Sequence, residues 1–129
     1  MKKILLISVA LFLAPLAMAG ETAEKHFVKK RYEISGTAKI ETIGTETHLI
    51  LSEDFKTKSG PDLKVFLTKK PIGELTGKAV IEHGLKLGVL KSNQGSQSYI
   101  IPDDINLSDY ESIVIHCEAF TVLWGGFDL

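Results

Sequence analysis

Hydrophobic and polar residues alternate with a period of two over most of the chain after residue 31. This pattern is typical of half-buried β-strands. About seven or eight short segments carry it, with turn residues between them at the spacing of roughly 8–12 residues expected of a sandwich or barrel. No long window keeps a helical apolar period, and the best helical candidate is a short turn at residues 106–110. The pattern predicts an all-β fold, a single antiparallel β-sandwich at residues 31–129.

Turn residues predict how parts of this sandwich connect. Gly60-Pro61-Asp62 is a turn signal directly before the strand at 63–67. The segments 85–90 and 98–101 flank Ser92-Asn93-Gln94-Gly95, which predicts a hairpin. Residues 20–30 are mostly polar and predict a loose arm before the sandwich.

The first 19 residues have the three parts of a secretory signal. Lys2 and Lys3 give a positive start, residues 4–16 are largely apolar, and Ala17-Met18-Ala19 supplies the small residues of a cleavage site. The apolar run is shorter than the roughly 20 residues that span a bilayer, which argues against the alternative of a retained anchor. We therefore expect cleavage after Ala19, a periplasmic or secreted product and no membrane span after cleavage.

Composition narrows the function classes. The formal net charge of −1 argues against a nucleic-acid-binding protein, which normally carries a basic stripe. The chain has 1 Cys, which excludes an internal disulfide framework and a zinc site built from cysteines. In an oxidising compartment a lone cysteine is buried, paired with another chain or used chemically. A disulfide-linked dimer through Cys117 is one form that such pairing would take.

Cys117 and His116 are the candidate site residues, because thiolate and imidazole ligands suit copper or haem iron. Neighbours in a regular strand point to opposite faces, so the two cannot reach one metal without a bulge or a ligand from another strand. Cys117 should share a face with Ile113 and Ile115, and His116 should share the other with Val114. Residue chemistry alone favours a buried core cysteine, since free cysteines are among the most buried residue types.

The remaining chemistry is sparse. The sequence contains no nucleophile elbow, zinc-protease pair or phosphate loop, so a conventional enzyme is not predicted. Asp104-Ile105-Asn106-Leu107-Ser108 imitates the start of a calcium loop, but Asp109 stands where glycine is required and Ile115 where glutamate is required. A solvated acidic loop is the better interpretation.

Four stretches of the chain have a distinctive order and spacing. They contain the runs Leu51-Ser52-Glu53-Asp54-Phe55 with Gly60-Pro61-Asp62, Asn93-Gln94-Gly95-Ser96-Gln97, Leu107-Ser108-Asp109-Tyr110, and Ser112-Ile113-Val114-Ile115-His116-Cys117. Read together over roughly residues 31–129, they resemble the electron-transfer DM-thirteen domain family. That family is described as an extracytoplasmic β-sandwich module, sometimes joined to haem-binding DOMON domains.

The resemblance implies a redox role for Cys117, as a free thiol or as a haem ligand, with an unidentified redox partner protein. Family members often carry Trp before this cysteine, where this chain has His116. The imidazole could act as a second ligand or proton partner if the strand is irregular there, or the exchange could equally be a neutral one at the surface. The cofactor is therefore unknown from the sequence, with haem implied by the resemblance alone. The alternative function is a non-catalytic binding or structural sandwich with Cys117 as a core residue.

Overall fold

The structure is a computed structural model that describes residues 22–129, so the predicted signal segment lies outside the described residues. Seven strands of five to seven residues form the framework. They are β4 (Thr37–Ile43), β5 (Glu46–Leu51), β7 (Leu63–Thr68), β8 (Gly84–Val89), β9 (Gln97–Ile101), β10 (Ser112–Cys117) and β11 (Val122–Asp128). Four two-residue strands join them: β1 (Lys25–His26), β2 (Val28–Lys29), β3 (Ile34–Ser35) and β6 (Lys56–Thr57).

The strands form two large antiparallel sheets. One has four strands in the order β1-β4-β5-β9, and the other has five in the order β2-β11-β10-β7-β8. A small third sheet pairs β3 with β6. Every strand pair is antiparallel. The predicted all-β antiparallel sandwich is confirmed.

The main core lies between the two large sheets. Leu49 and Leu51 of β5 face Val65, Ile113 and Ile115 of the five-stranded sheet, and all five side chains are fully buried. Side chains along each of these strands alternate between the core and the other face, as the period of two predicts. Burying such apolar side chains contributes about 1.5–3 kcal/mol each relative to exposure.

The predicted polar arm differs in the structure. Lys25–His26 pair with β4 of the four-stranded sheet, and Val28–Lys29 pair with β11 of the five-stranded sheet. Phe27 lies between them, and its ring packs on Phe55 and Phe127 at centroid distances of 5.1 and 5.2 Å. One buried aromatic residue therefore fixes a segment whose other side chains are polar.

The predicted hairpin at 85–101 is also wrong. β8 pairs with β7, whereas β9 pairs with β5, so the connection between them crosses from one sheet to the other. The Gln97 side-chain amide donates to the carbonyls of Ser92 and Gly95 at 2.9 and 3.2 Å. Those hydrogen bonds satisfy backbone carbonyls of the loop, although the strands on either side of it do not pair with each other.

A short helix, α1 (Gly77–His83), covers the outer face of the five-stranded sheet. The Thr76 hydroxyl caps it by accepting a hydrogen bond from the Ala79 amide at 3.2 Å. Five buried residues form a second apolar cluster on this face: Phe66, Leu75, Val80, Val114 and Leu123. The turn predicted at 106–110 is a 3₁₀ turn at Leu107–Asp109. Within residues 22–129, no helix is long and apolar enough to cross a membrane.

Candidate redox site

Cys117 ends β10, the middle strand of the five-stranded sheet. Its backbone pairs with Leu63 of β7 on one side and with Val122 of β11 on the other. The side chain faces the main core together with Ile113 and Ile115, as predicted, and only 1% of the residue is exposed. The thiol therefore lies at one end of the core and has no direct path to solvent.

A loop and an indole ring meet at Leu63, the β7 residue that pairs with Cys117. A Cβ placed on Gly60 would lie 2.9 Å from Trp124 Cη2 and 3.0 Å from Leu63 Cδ2, so both side chains meet at this glycine. The Trp124 Nε1–H also donates to the Lys58 carbonyl at 3.1 Å. We call residues 58–62 together with the Trp124 indole the thiol cover. Only a residue without a side chain allows this loop to approach the ring so closely.

Asp62 fastens the thiol cover to the turn that follows Cys117. Its backbone carbonyl accepts from the Glu118 amide at 3.1 Å, and its Oδ2 accepts from the Ala119 amide at 2.8 Å. The Lys64 ammonium donates to the other carboxylate oxygen of Asp62. The hydrogen bond from Lys64 lowers the pKa of Asp62, and the same bond raises the pKa of Lys64. Asp62 is therefore ionised at neutral pH and joins the loop, the turn and β7.

A surface cleft of about 440 Å³ lies beside the thiol cover. Residues 59–64 and 89–93 line it, and Leu63 and Leu90 are its buried members. Leu63 is also the β7 residue paired with Cys117. One apolar side chain therefore belongs both to the wall of the cleft and to the surroundings of the thiol.

His116 lies on the opposite face of β10, under α1. It is fully buried, and both of its ring nitrogens lack a hydrogen-bond partner. The Phe66 ring contacts the imidazole edge-on at a centroid distance of 5.6 Å. Burial lowers the pKa of His116, against a weaker opposing effect of Glu118. A neutral imidazole without partners is an unusual occupant of an apolar layer.

The structure does not bring Cys117 and His116 together. The register between β10 and β11 does shift between Ile115 and His116, but the extra residue is Trp124 of β11. β10 keeps an unbroken register with β7 from Ser112 to Cys117. The bulge therefore leaves the alternation of β10 intact, and adjacent residues continue to face opposite sides.

The family resemblance implied haem as the cofactor, but the described residues are not arranged to bind it. The Cys117 sulfur faces the packed core, and the His116 nitrogens face the layer under α1, so the two donors cannot share one iron. The nearby cleft is not lined by either residue. Among residues 22–129, no group of three or more His, Cys, Asp or Glu is placed to hold a metal ion.

The fold and this site define a small two-sheet β-sandwich domain with one buried thiol at the end of its core. A family model described as Electron transfer DM13 matches residues 26–129. The chain belongs to this family, and the resemblance inferred from the sequence is confirmed. Neither a search of curated proteins nor a search of solved structures gives a significant match.

Two features of the site were missed by sequence reasoning. The first is the role of Asp62, which a Gly-Pro-Asp turn signal did not distinguish from an ordinary turn residue. The second is the packing of the Tyr32 ring on Trp124, with ring centroids 4.1 Å apart. No local pattern relates two rings that lie 92 positions apart in the chain.

Proposed function

We propose that this protein is an exported electron-transfer module in which the Cys117 sulfur is the group that is oxidised and reduced. The observation that carries the proposal is that the chain's one thiol is buried beside a loop whose Asp62 bonds to the residue after it, in a domain of an electron-transfer family. The residues around the thiol do not accommodate haem, which leaves thiol chemistry as the version that the site supports best.

The partner in this reaction is a disulfide of another protein or of a small thiol compound. The Cys117 thiolate attacks one sulfur of that disulfide, a new S–S bond forms, and the old S–S bond breaks. The leaving thiolate takes up the proton that the Cys117 thiol lost. Cys117 is oxidised, and the released sulfur of the partner is reduced to a thiol. A second thiol reverses the step and returns Cys117 to its reduced form.

Access to the sulfur requires the thiol cover to open. The loop of the cover is held by the bonds of Lys58 to the Trp124 indole and to the Glu33 carbonyl, by the bonds of Asp62, and by the packing of Gly60 against Trp124. Segments held by a small number of surface hydrogen bonds open locally at much lower free energy than the whole fold. Opening therefore exposes Cys117 while both sheets remain intact.

Export is the second part of the proposal. It is supported by the charged start, apolar run and small-residue cleavage site of residues 1–19. A periplasmic or extracellular space provides disulfides as oxidants, which suits a module that works through a single thiol.

The alternative function, a binding or structural sandwich, is favoured by the same burial. Cys117 is 1% exposed among aliphatic core residues, as an inert core cysteine would be. In that case Cys117→Ser only lowers stability, by about 1–3 kcal/mol for a buried hydroxyl without a partner. The thiol would then react only after global unfolding.

Reaction with oxidised glutathione separates the two functions. Native protein is incubated with the reagent and analysed by intact mass, alongside samples in denaturing urea and a Cys117→Ser control. We expect a mixed disulfide in native buffer that dithiothreitol reverses. A disulfide-linked dimer formed in the same reaction also supports the proposal, since its thiols must leave the core. Reaction confined to the urea sample would refute it.

A further inference from the structure

The Tyr32 ring joins the thiol cover to the protein surface. It packs on Trp124 at a tilt, with centroids 4.1 Å apart and an interplanar angle of 41°. Trp124 is buried in the main core, whereas Tyr32 is half-buried and packs against that core from outside. Three consecutive amides, those of Lys30, Arg31 and Tyr32, donate to the Trp124 carbonyl and hold the segment in place.

Two cations lie close to this ring. Lys58 Nζ is 4.8 Å from the Tyr32 centroid, and the Arg31 guanidinium carbon is 5.9 Å from it. Cations at these distances are attracted by the face of an aromatic ring. Lys29 and Lys56 lie on the adjoining strands β2 and β6, and Lys30 directly follows β2. Five exposed cations therefore form what we call the basic patch: Lys29, Lys30, Arg31, Lys56 and Lys58.

This patch contrasts with the rest of the surface. The whole chain has 15 basic and 16 acidic residues, yet the basic patch encloses one carboxylate, Glu33, which pairs with Lys29. Glu53 and Asp54 border it on the chain preceding Lys56.

An acidic loop lies at the other end of β10. Asp103, Asp104, Asp109 and Glu111 are exposed on the segment before Ser112, whereas Cys117 ends the same strand about 17 Å away along its axis. Lys69 and Lys70 lie beside these carboxylates, and Asp62 and Glu118 lie beside Cys117, so each end of β10 carries charges of both signs. The local excess of positive charge is the basic patch itself, and a patch of one sign orients an approaching charged partner.

We propose that the basic patch is the docking surface for an acidic face of a partner protein. The Tyr32 ring then lies between the docked partner and the Trp124 indole of the thiol cover. The electron-exchanging role of that partner rests on the proposed function, but its docking does not require Cys117. Charge complementarity of this kind mainly increases the association rate and fixes orientation.

The pattern of charges favours a protein partner over a lipid surface or a nucleic acid. Glu33 lies among the cations and would repel a uniformly anionic surface. A protein face can place a basic or neutral group opposite Glu33 and carboxylates opposite Arg31 and Lys58. Tyr32 is half-buried and its ring packs on Trp124, so it is not a freely exposed aromatic side chain of the kind that inserts into a bilayer.

An octaglutamate peptide tests the docking surface, with the fluorescence of Trp124, the chain's one tryptophan, as the signal. The double variant Arg31→Gln/Lys58→Gln should lower the affinity by up to about tenfold, as expected for two exposed ion pairs. Lys69→Gln is the matched control, because Lys69 Nζ lies 5.5 Å from the Tyr110 ring beside the acidic loop. That variant should bind like the wild type, and salt should weaken binding to both.

Phosphatidylserine vesicles and a single-stranded oligonucleotide complete the test. Tighter binding of either than of the peptide would overturn the proposal, as would an equal loss in the Lys69→Gln control. Cys117→Ser should bind the peptide with unchanged affinity. Peptide binding without glutathione exchange would refute the proposed function alone, and exchange without peptide binding would refute the docking surface alone.

Discussion

Replacing His116 with leucine removes two buried nitrogens that have no hydrogen-bond partner, and it should stabilise the domain. A buried polar group without a partner costs about 1–3 kcal/mol. The aliphatic side chain loses the edge contact with Phe66 and fills the space of the imidazole less closely, at a cost below about 1.5 kcal/mol. The expected net effect is a gain of about 1 kcal/mol in the free energy of unfolding.

The same variant should remove a pH dependence. Burial lowers the pKa of His116 in the folded state, so the unfolded state binds the proton more readily. Stability is then fully present above the ordinary histidine pKa of about 6.5 and declines as the pH falls below it. Wild-type protein should therefore be less stable at pH 5.5 than at pH 7.5, and His116→Leu should reduce that difference.

Urea unfolding followed by Trp124 fluorescence at both pH values measures these effects. His83→Leu is the control, because His83 is an exposed imidazole at the end of α1. It should leave the stability within about 0.5 kcal/mol of the wild type. A loss of stability in His116→Leu at pH 7.5, or an unchanged pH dependence, would show that the imidazole is not a destabilising buried group.

Two further substitutions test the packing at the Cys117 end. Gly60→Ala should lower the free energy of unfolding by about 1–3 kcal/mol, because its Cβ would lie 2.9 Å from the Trp124 ring. The Trp124 emission spectrum should shift as well. Unchanged stability and emission would contradict the close packing of Gly60 against this ring. Tyr99→Phe should cost about 0.5–1.5 kcal/mol in urea unfolding, because the Tyr99 hydroxyl accepts from the Lys91 amide at 2.9 Å and donates to Gln97. A neutral result for Tyr99→Phe would mean that water replaces these bonds without cost.

Much of the fold follows from local alternation. β10 is an example, since its sequence placed Cys117, Ile113 and Ile115 on one face and His116 on the other, and the structure confirms that arrangement. The helix α1 was missed because seven residues are too few to establish a helical period, and only Val80 of the helix is buried.

The errors arose where tertiary contacts overrode local signals. The loop at 90–96 has the residues of a hairpin turn, but its flanking strands find partners in different sheets. Likewise, the polar sequence around Phe27 gives no sign that this one ring is packed between Phe55 and Phe127. The chemistry at Cys117 is set by residues distant in sequence, which is why the thiol cover could not be predicted.

The most direct test of the account is the rate at which Cys117 reacts with a chromogenic thiol reagent in native buffer. Asp62→Ala removes the side-chain bonds to Ala119 and Lys64 that hold the thiol cover, whereas Val80→Ala weakens the distant cluster under α1. If the cover opens locally, Asp62→Ala should accelerate labelling well beyond its effect on global stability, and Val80→Ala should leave the rate near that of the wild type. Labelling that follows global stability in both variants would contradict the account and identify Cys117 as an inert core residue.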